Sequence, residues 1–159
     1  MGDDYMTIDI SLEHDPIHET VTWDMASHAE LLANQAIWQN LPVITRRFER
    51  KEDAAGIPLR KPLAVDEDIS IVCVGSPENP SDCVACCGTH PTTSGQVGLL
   101  KIYKVENYKG MFRIYFDAGN RALADYRAKH QLIATLGKKF SAGTEDLLDK
   151  IQARDAKNT

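Results

Sequence analysis

Two alternating runs separated by a short polar turn constrain this chain more than any other feature. Leu99 to Glu106 and Met111 to Asp117 flank Asn107 to Gly110, a turn-forming stretch that ends in glycine. Phe112, Ile114 and Phe116 fall on one face of the second run, and Leu100 and Ile102 can pair with them. Lys101, Tyr103, Arg113 and Tyr115 are then left on the other face. Side chains alternate along a strand, so a one-residue slip would turn the whole apolar set toward water. The pattern predicts an antiparallel hairpin with one buried face, which something else must cover.

A helix is the obvious cover. Thr22 reads as the N-cap of a helix from Trp23 to about Asn40, closed by Pro42. Met25, Ala29, Leu32 and Ala36 recur at steps of three and four, with Ala33 and Ile37 beside them. Tyr5 to Ser11 alternates as a strand with Met6, Ile8 and Ile10 on one face. Leu12 to Thr20 is a charged loop broken by Pro16. Val43 to Arg50 is a second strand, in which Val43, Thr45, Arg47 and Glu49 lie opposite Ile44, Arg46, Phe48 and Arg50.

Lys51 to Ala55 fits one helical turn, and Ile57 to Val65, with Pro58 and Pro62, is extended or looped. The apolar run Ile69 to Val74 is a strand covered on both faces, with Cys73 a core residue. Gly75 to Ser81, holding Pro77, Asn79 and Pro80, reads as a turn. A helix from Gly119 to about Phe140 carries a heptad-like stripe of Leu123, Tyr126, His130, Ile133, Gly137 and Phe140. Gly143 breaks it, Thr144 is placed to cap a last helix, and residues after Arg154 fray. The fold class is α+β: a mostly antiparallel sheet backed by a long helix, with a C-terminal helical extension. The expected division is 1–118 and 119–159, with a homodimer possible through the C-terminal helix.

Composition narrows the function classes. At 43% hydrophobic and 26% charged, the 159 residues exclude wholesale disorder, and no apolar run approaches a membrane span. Residues 1 to 45 carry eight acidic residues and no Lys or Arg, against a net charge of −5 for the whole chain, so the remainder is positive. Arg46, Arg47, Arg50 and Lys51 then cluster, a candidate nucleic-acid contact whose plain alternative is a solvated strand edge. Three of the four cysteines, Cys83, Cys86 and Cys87, lie within five residues. That crowding fits a reduced, cytoplasmic chain using metal better than a secreted disulfide framework.

Cys86 and His90 are four apart and supply a thiolate and an imidazole, both good zinc donors. Gly88 between them would let the backbone bend so that the two converge, and Thr89 adds a hydroxyl. Two donors make half a site. Cys86-Cys87-Gly88-Thr89-His90, followed by Thr93-Ser94-Gly95-Gln96-Val97-Gly98, resembles the zinc motif of the alanyl-tRNA synthetase editing domain and the free-standing alanyl-tRNA editing proteins. Asp4 to Ile10, Ala33 to Val43 and Gly119 to Tyr126 resemble other parts of that family. The resemblance implies zinc-assisted hydrolysis of Ser- or Gly-tRNA(Ala), with Thr89 or Gln96 orienting substrate or water. It also implies two further ligands from an upstream His-x-x-x-His helix, so that this chain would be a fragment with an incomplete site. Gln96 stands where the family often has an acid.

His14 and His18 have the missing spacing, but Pro16 splits them and they follow the first strand instead of preceding it, so they are read as a surface loop. Two rival readings stand beside the enzyme: a non-catalytic module that binds tRNA or a partner, and a small structural zinc domain.

Overall fold

The hairpin forms as β5 (Leu100–Tyr108) and β6 (Met111–Ala118). Ile102 faces Phe116 as the alternation requires, but the ladder shifts between Ile102 and Lys104. Tyr103 is the extra residue of this bulge, so Val105 comes opposite Ile114 and rejoins the apolar face. β1 (Met6–Ile10) adds to the free side of β6, giving the order β1-β6-β5. There Asp9 stands opposite Arg113 and takes two hydrogen bonds from its guanidinium, at 2.8 and 3.0 Å. The computed structural model describes residues 5–158 apart from positions 62, 64, 66 and 77. Asp4 at the head of the first strand, Pro62 and Pro77 lie outside the described residues.

α1 (Trp23–Trp38) starts at Thr22, whose Oγ1 accepts from the Met25 amide at 3.2 Å. It ends two residues earlier than Pro42 alone would require, because Asn40 adopts a left-handed φ of +52°. Its buried stripe is also rotated from the expected one. Ala26, Asn34 and Ile37 are buried, whereas Ala29 and Leu32 are exposed. Ala26 packs with Ile102 and Ile114.

The rotation has a polar cause. Asn34 Nδ2 donates to the Leu100 carbonyl at 2.8 Å, and its Oδ1 accepts from the Leu100 amide at 2.9 Å. Glu30 Oε2 accepts from the Ile102 amide at 2.6 Å, while Oε1 meets Lys101 Nζ at 3.2 Å. Two helical side chains thus close the open edge of β5 where another strand would otherwise pair.

The remaining strands make a second antiparallel sheet, not an extension of the first. Its order is β2 (Val43–Arg50), β3 (Glu67–Ser76), β4 (Asn79–Ala85). Ile69, Ile71, Val72 and Cys73 are buried, as the apolar run of β3 demands. A 3₁₀ turn over Lys51–Ala54 follows β2 and contributes Ala54 to the same core.

β4 corrects the reading of Gly75 to Ser81 as a turn. The strand begins at Asn79, with Pro80 opposite Gly75 beside a bulge. β4 is an edge strand, where a proline's missing N–H costs little. Gly75 has φ +105°, and a Cβ there would lie 2.9 Å from the Ser81 amide nitrogen. Once β4 is in place, Cys73 and Cys83 are direct cross-strand neighbours, with Cα atoms 4.2 Å apart, and they form a disulfide. This corrects the reading of the cysteines as a reduced set; Cys86 and Cys87 are the free ones.

Residues Met1–Gly119 form one compact unit and Asn120–Thr159 another. The second holds α2 (Asn120–Phe140) and α3 (Thr144–Lys157). At the end of α2 the Ala142 amide donates to the Gly137 carbonyl at 2.9 Å and the Ser141 amide to Lys138 at 3.3 Å, with Ser141 at φ +53°. A Cβ at Gly137 would sit 2.7 Å from the Ala142 carbonyl oxygen, so the glycine in the stripe serves the turn. Gly143, and not Thr144, occupies the N-cap of α3, and the helix continues past Arg154 to Lys157.

Asn34→Ala is expected to destabilise the first unit by about 1–3 kcal/mol, because two part-buried backbone groups of Leu100 lose their partners together. Urea unfolding checks this; a loss under about 0.5 kcal/mol would mean that water replaces the side chain without cost.

Candidate functional site

The Cys-His loop hangs from the end of β4. The Cys86 amide donates to the Ser70 carbonyl at 2.9 Å, so Cys86 is still docked on β3. Beyond it the chain leaves the sheet, and Cys87 to Thr92 are exposed. Cys86 is half-buried, and the Gly88 amide points back at its Sγ at 3.4 Å. Gly88 does not adopt a left-handed φ, and a Cβ there would only touch Sγ at 3.5 Å. The bend therefore does not require glycine, contrary to the sequence-based expectation. Thr89 and His90 are exposed, with no side-chain hydrogen bond among the described residues.

The second half of the motif is fixed much more firmly. Ser94 is 8% exposed. Its hydroxyl donates to the Ala36 carbonyl at 2.6 Å and accepts from the Leu41 amide at 2.7 Å. The Ser94 amide returns to the Leu41 carbonyl at 2.8 Å, and the Val43 amide donates to Thr92 at 2.9 Å. The Gly95 amide donates to Asn40 Oδ1 at 3.2 Å. A Cβ on Gly95 would fall 2.3 Å from that oxygen, so any larger residue there would have to displace the Asn40 side chain and its bond. Gln96 Oε1 accepts from the Thr92 amide at 2.8 Å, which ties the loop, and Gln96 is itself exposed.

Among the described residues, no three His, Cys, Asp or Glu side chains are grouped to hold a metal ion. Cys86 and His90 have the right chemistry for zinc, but two donors fall short of even the three that an open site uses. These residues alone do not fit the ion. His14 and His18 lie in a non-helical loop. Asp15 Oδ1 caps that loop, accepting from the Ile17 and His18 amides at 2.8 Å each, and Oδ2 meets His18 Nδ1 at 3.1 Å.

The basic cluster is divided by the strand alternation. Arg46 lies opposite Ile71 and Arg50 opposite Glu67, on the face that carries the Ile69–Ile71–Cys83 core. Arg46 stacks its guanidinium 5.3 Å from the Phe48 ring centre. Lys51 opens the following 3₁₀ turn. Arg47, opposite Ser70, points to the other face. There it lines a cavity of about 890 Å³ together with Thr45, Glu49, Asp68, Cys87 and Gly88. The cavity joins β2 and β3 to the Cys-His loop. Thr45 and Glu49 share the alternation phase of Arg47 and were within reach of sequence reasoning; Asp68 and Ser70 depend on the register between distant strands and were not.

Residues 69–115 match the family of the threonyl and alanyl tRNA synthetase second additional domain. The chain is 32% identical over 123 residues to the alanyl-tRNA editing protein AlaX-L of Pyrococcus horikoshii, covering 76% of this chain and 28% of that protein. It is 31% identical over 139 residues to the alanine–tRNA ligase of Pyrobaculum neutrophilum, covering 85% of this chain and 16% of the ligase. The ligase of Methanosarcina mazei is 35% identical over 122 residues, 74% of this chain and 13% of that protein. The similarity thus extends over most of the chain, while the chain spans under a third of each of these relatives.

The loop geometry gives a titration test. Two backbone amides, His18 first and Ile17 second, and then the His18 ring hold the Asp15 carboxyl down to about 2. A pKa lowered by folding contributes stability that is fully present above the unfolded value, and it is lost as pH falls through about 2. In a carboxyl-carbon NMR titration, Asp15 should stay well below the ordinary range even in His18→Ala, since the amides remain. An ordinary Asp15 value would show that the loop is not closed in this way.

Proposed function

We propose that this chain, a distant homologue of alanyl-tRNA editing proteins and alanine–tRNA ligases that carries a second additional domain over residues 69–115, is part of an editing unit. The unit hydrolyses the ester of tRNA(Ala) mischarged with serine or glycine. The observation that carries this reading is the motif loop itself. Cys86 and His90 sit on an exposed stretch between two fixed points, the β3–β4 ladder and the Ser94 junction, beside a cavity large enough for a small ligand.

In this reading Cys86 and His90 would be two ligands of a zinc ion whose remaining donors are not among the described residues of this chain. When bound, zinc supplies Lewis acidity and a more acidic water. The chain's own residues do the rest. The Thr89 hydroxyl and the Gln96 amide group orient the ester or the attacking water. Arg47 meets the tRNA at the cavity, and Arg46 and Arg50, on the opposite face, and Lys51, in the turn after β2, contact its phosphates. Small side chains differ too little for a synthetase pocket to separate them well, which is why a second hydrolytic site is useful. The setting is the cytoplasm, where charged tRNA is used, although the Cys73–Cys83 disulfide departs from the reduced state usual there. No helix among the described residues is long and apolar enough to cross a membrane.

The test compares this chain with a protein extended upstream through a His-x-x-x-His segment. Zinc per chain and deacylation of Ser-tRNA(Ala) should both be low in the first and restored in the second. Cys86→Ala in the longer protein should abolish both, because the thiolate is a direct ligand. Retained zinc and activity in that variant would overturn the reading. The absence of a three-donor group among the described residues favours one alternative, a tRNA-binding module without hydrolysis. It would show as tRNA affinity in the longer protein with no deacylation.

A second copy of the chain pairs through α2 in this reading, since Leu123, Tyr126 and Ile133 leave an apolar stripe exposed. Ile133→Asp should halve the solution mass measured by light scattering, with helix content unchanged. A wild-type chain that is monomeric at high concentration would remove the dimer.

A further inference from the structure

The structure assigns a reversible redox site to the Cys73–Cys83 pair. A small anionic thiol opens it through a cavity beside Arg46, and its state sets how firmly the Cys86 loop is held. Neither the zinc ligands nor the hydrolysis proposed above involve these two cysteines. The bond links strands that already pair, and its ends are only 10 positions apart. Closing so short a loop constrains the unfolded chain little, so stapling is a weak reason for the bond. In the cytoplasm, the setting proposed above, a disulfide is usually transient and belongs to redox chemistry.

The pair is covered but reachable. Cys73 and Cys83 are 7% and 1% exposed, yet both line a cavity of about 110 Å³ with Arg46, Gly56, Pro58 and Pro80. Arg46, Gly56 and Pro58 are exposed, so the cavity meets the surface. A space of that size holds a few waters, and hence the sulfur end of a small thiol. The Arg46 guanidinium in its wall favours both an incoming thiolate and the thiolate that leaves. Attack on Cys73 Sγ, in the less deeply buried of the two residues, breaks the S–S bond and releases Cys83 as a thiolate. A second thiol then displaces Cys73 from the mixed disulfide. Two thiols have become one disulfide, and their two electrons and two protons end on Cys73 and Cys83.

The bond lies just before the first anchor of the motif loop. Among the described strands β4 pairs with β3 alone. Ala85, two positions after Cys83, stands opposite Ile71, and the Cys86 amide then bonds the Ser70 carbonyl. The Cys83 carbonyl also accepts from the Arg60 amide at 2.9 Å, and Ile57 and Leu59 pack on the same core. Without the sulfur link, β4 is held by backbone bonds and packing alone, and an edge strand opens first at its end.

The test uses the full chain and needs neither zinc nor tRNA. The chain is equilibrated in glutathione buffers of graded ratio, thiols are trapped with a maleimide, and peptides are read by mass spectrometry. Cys73 and Cys83 should pass together from disulfide to thiols within the cytoplasmic range of that buffer. On reduction the Cys86 amide should exchange hydrogen at least about tenfold faster, while the Leu100 amide, held by Asn34, stays unchanged. Cys73→Ser with Cys83→Ser should reproduce the faster exchange; if that variant is unfolded by circular dichroism, the reduced wild-type chain carries the comparison. Arg46→Gln should slow reduction by glutathione at least about threefold and leave reduction by cysteamine, whose thiolate form has no net charge, nearly unchanged. A disulfide that resists every buffer, one that never forms, or a reduction that leaves the Cys86 amide as protected as before would overturn the site. Equal slowing of both thiols in Arg46→Gln would overturn the route through the cavity.

Discussion

The first unit depends on one hydroxyl group. Ser94 Oγ gives its proton to the Ala36 carbonyl and takes one from the Leu41 amide, at 2.6 and 2.7 Å. Both partners belong to the end of α1 and the chain just beyond it, where helical carbonyls and amides otherwise lack partners. The short strand-like segment 41–43 is then used completely. Leu41 exchanges bonds with Ser94, the Pro42 carbonyl accepts from the Gly75 amide at 2.8 Å, and the Val43 amide donates to Thr92. Three distant parts of the sequence meet on three residues: the exit of the helix, the end of β3, and the Cys-His loop. The Leu41 amide and carbonyl, the Pro42 carbonyl and the Val43 amide all have partners, as a part-buried crossing demands.

The same logic governs the sheet beside it. β5 would present a free edge, and α1 covers it with Asn34 and Glu30, groups that imitate the donors and acceptors of a strand. The helix therefore faces the sheet with two polar residues on its buried side. This arrangement fixes translation along the helix axis, because an amide side chain matches one peptide and no other. Apolar contacts such as Ala26 on Ile102 and Ile114 supply burial but tolerate sliding.

That explains which parts of the molecule could be read in advance. The hairpin, β2, the apolar strand β3 and the helices follow periodicities that the sequence displays openly. The stripe of α1 was misplaced because hydrophobicity was the guide, and the decisive residues are polar. β4 was missed because Asn79 and Pro80 are strong turn residues, and only pairing with β3 makes them an edge strand. The disulfide went with it, since Cys73 and Cys83 become neighbours only in that register. At the site, the division of Arg46 from Arg47 was visible from alternation, whereas Asp68 came into view only with the tertiary register. The bulge at Tyr103 left no mark at all, because a single inserted residue preserves composition and disturbs only phase.

The Ser94 junction also bears on the order in which the molecule assembles. Its bonds join residues 53 and 58 positions apart in the chain. Contacts of that separation close large loops, and the entropy of closure is lost before the bonds are gained. α1 and the β5–β6 hairpin are local structures that can form early and independently. The Cys-His loop cannot, because one of its two anchors exists only after the helix end has found residue 94. The loop is therefore among the last parts to acquire a fixed shape. On a ribosome, the helix would wait through the synthesis of both β3 and β4 before its exit had anything to hold.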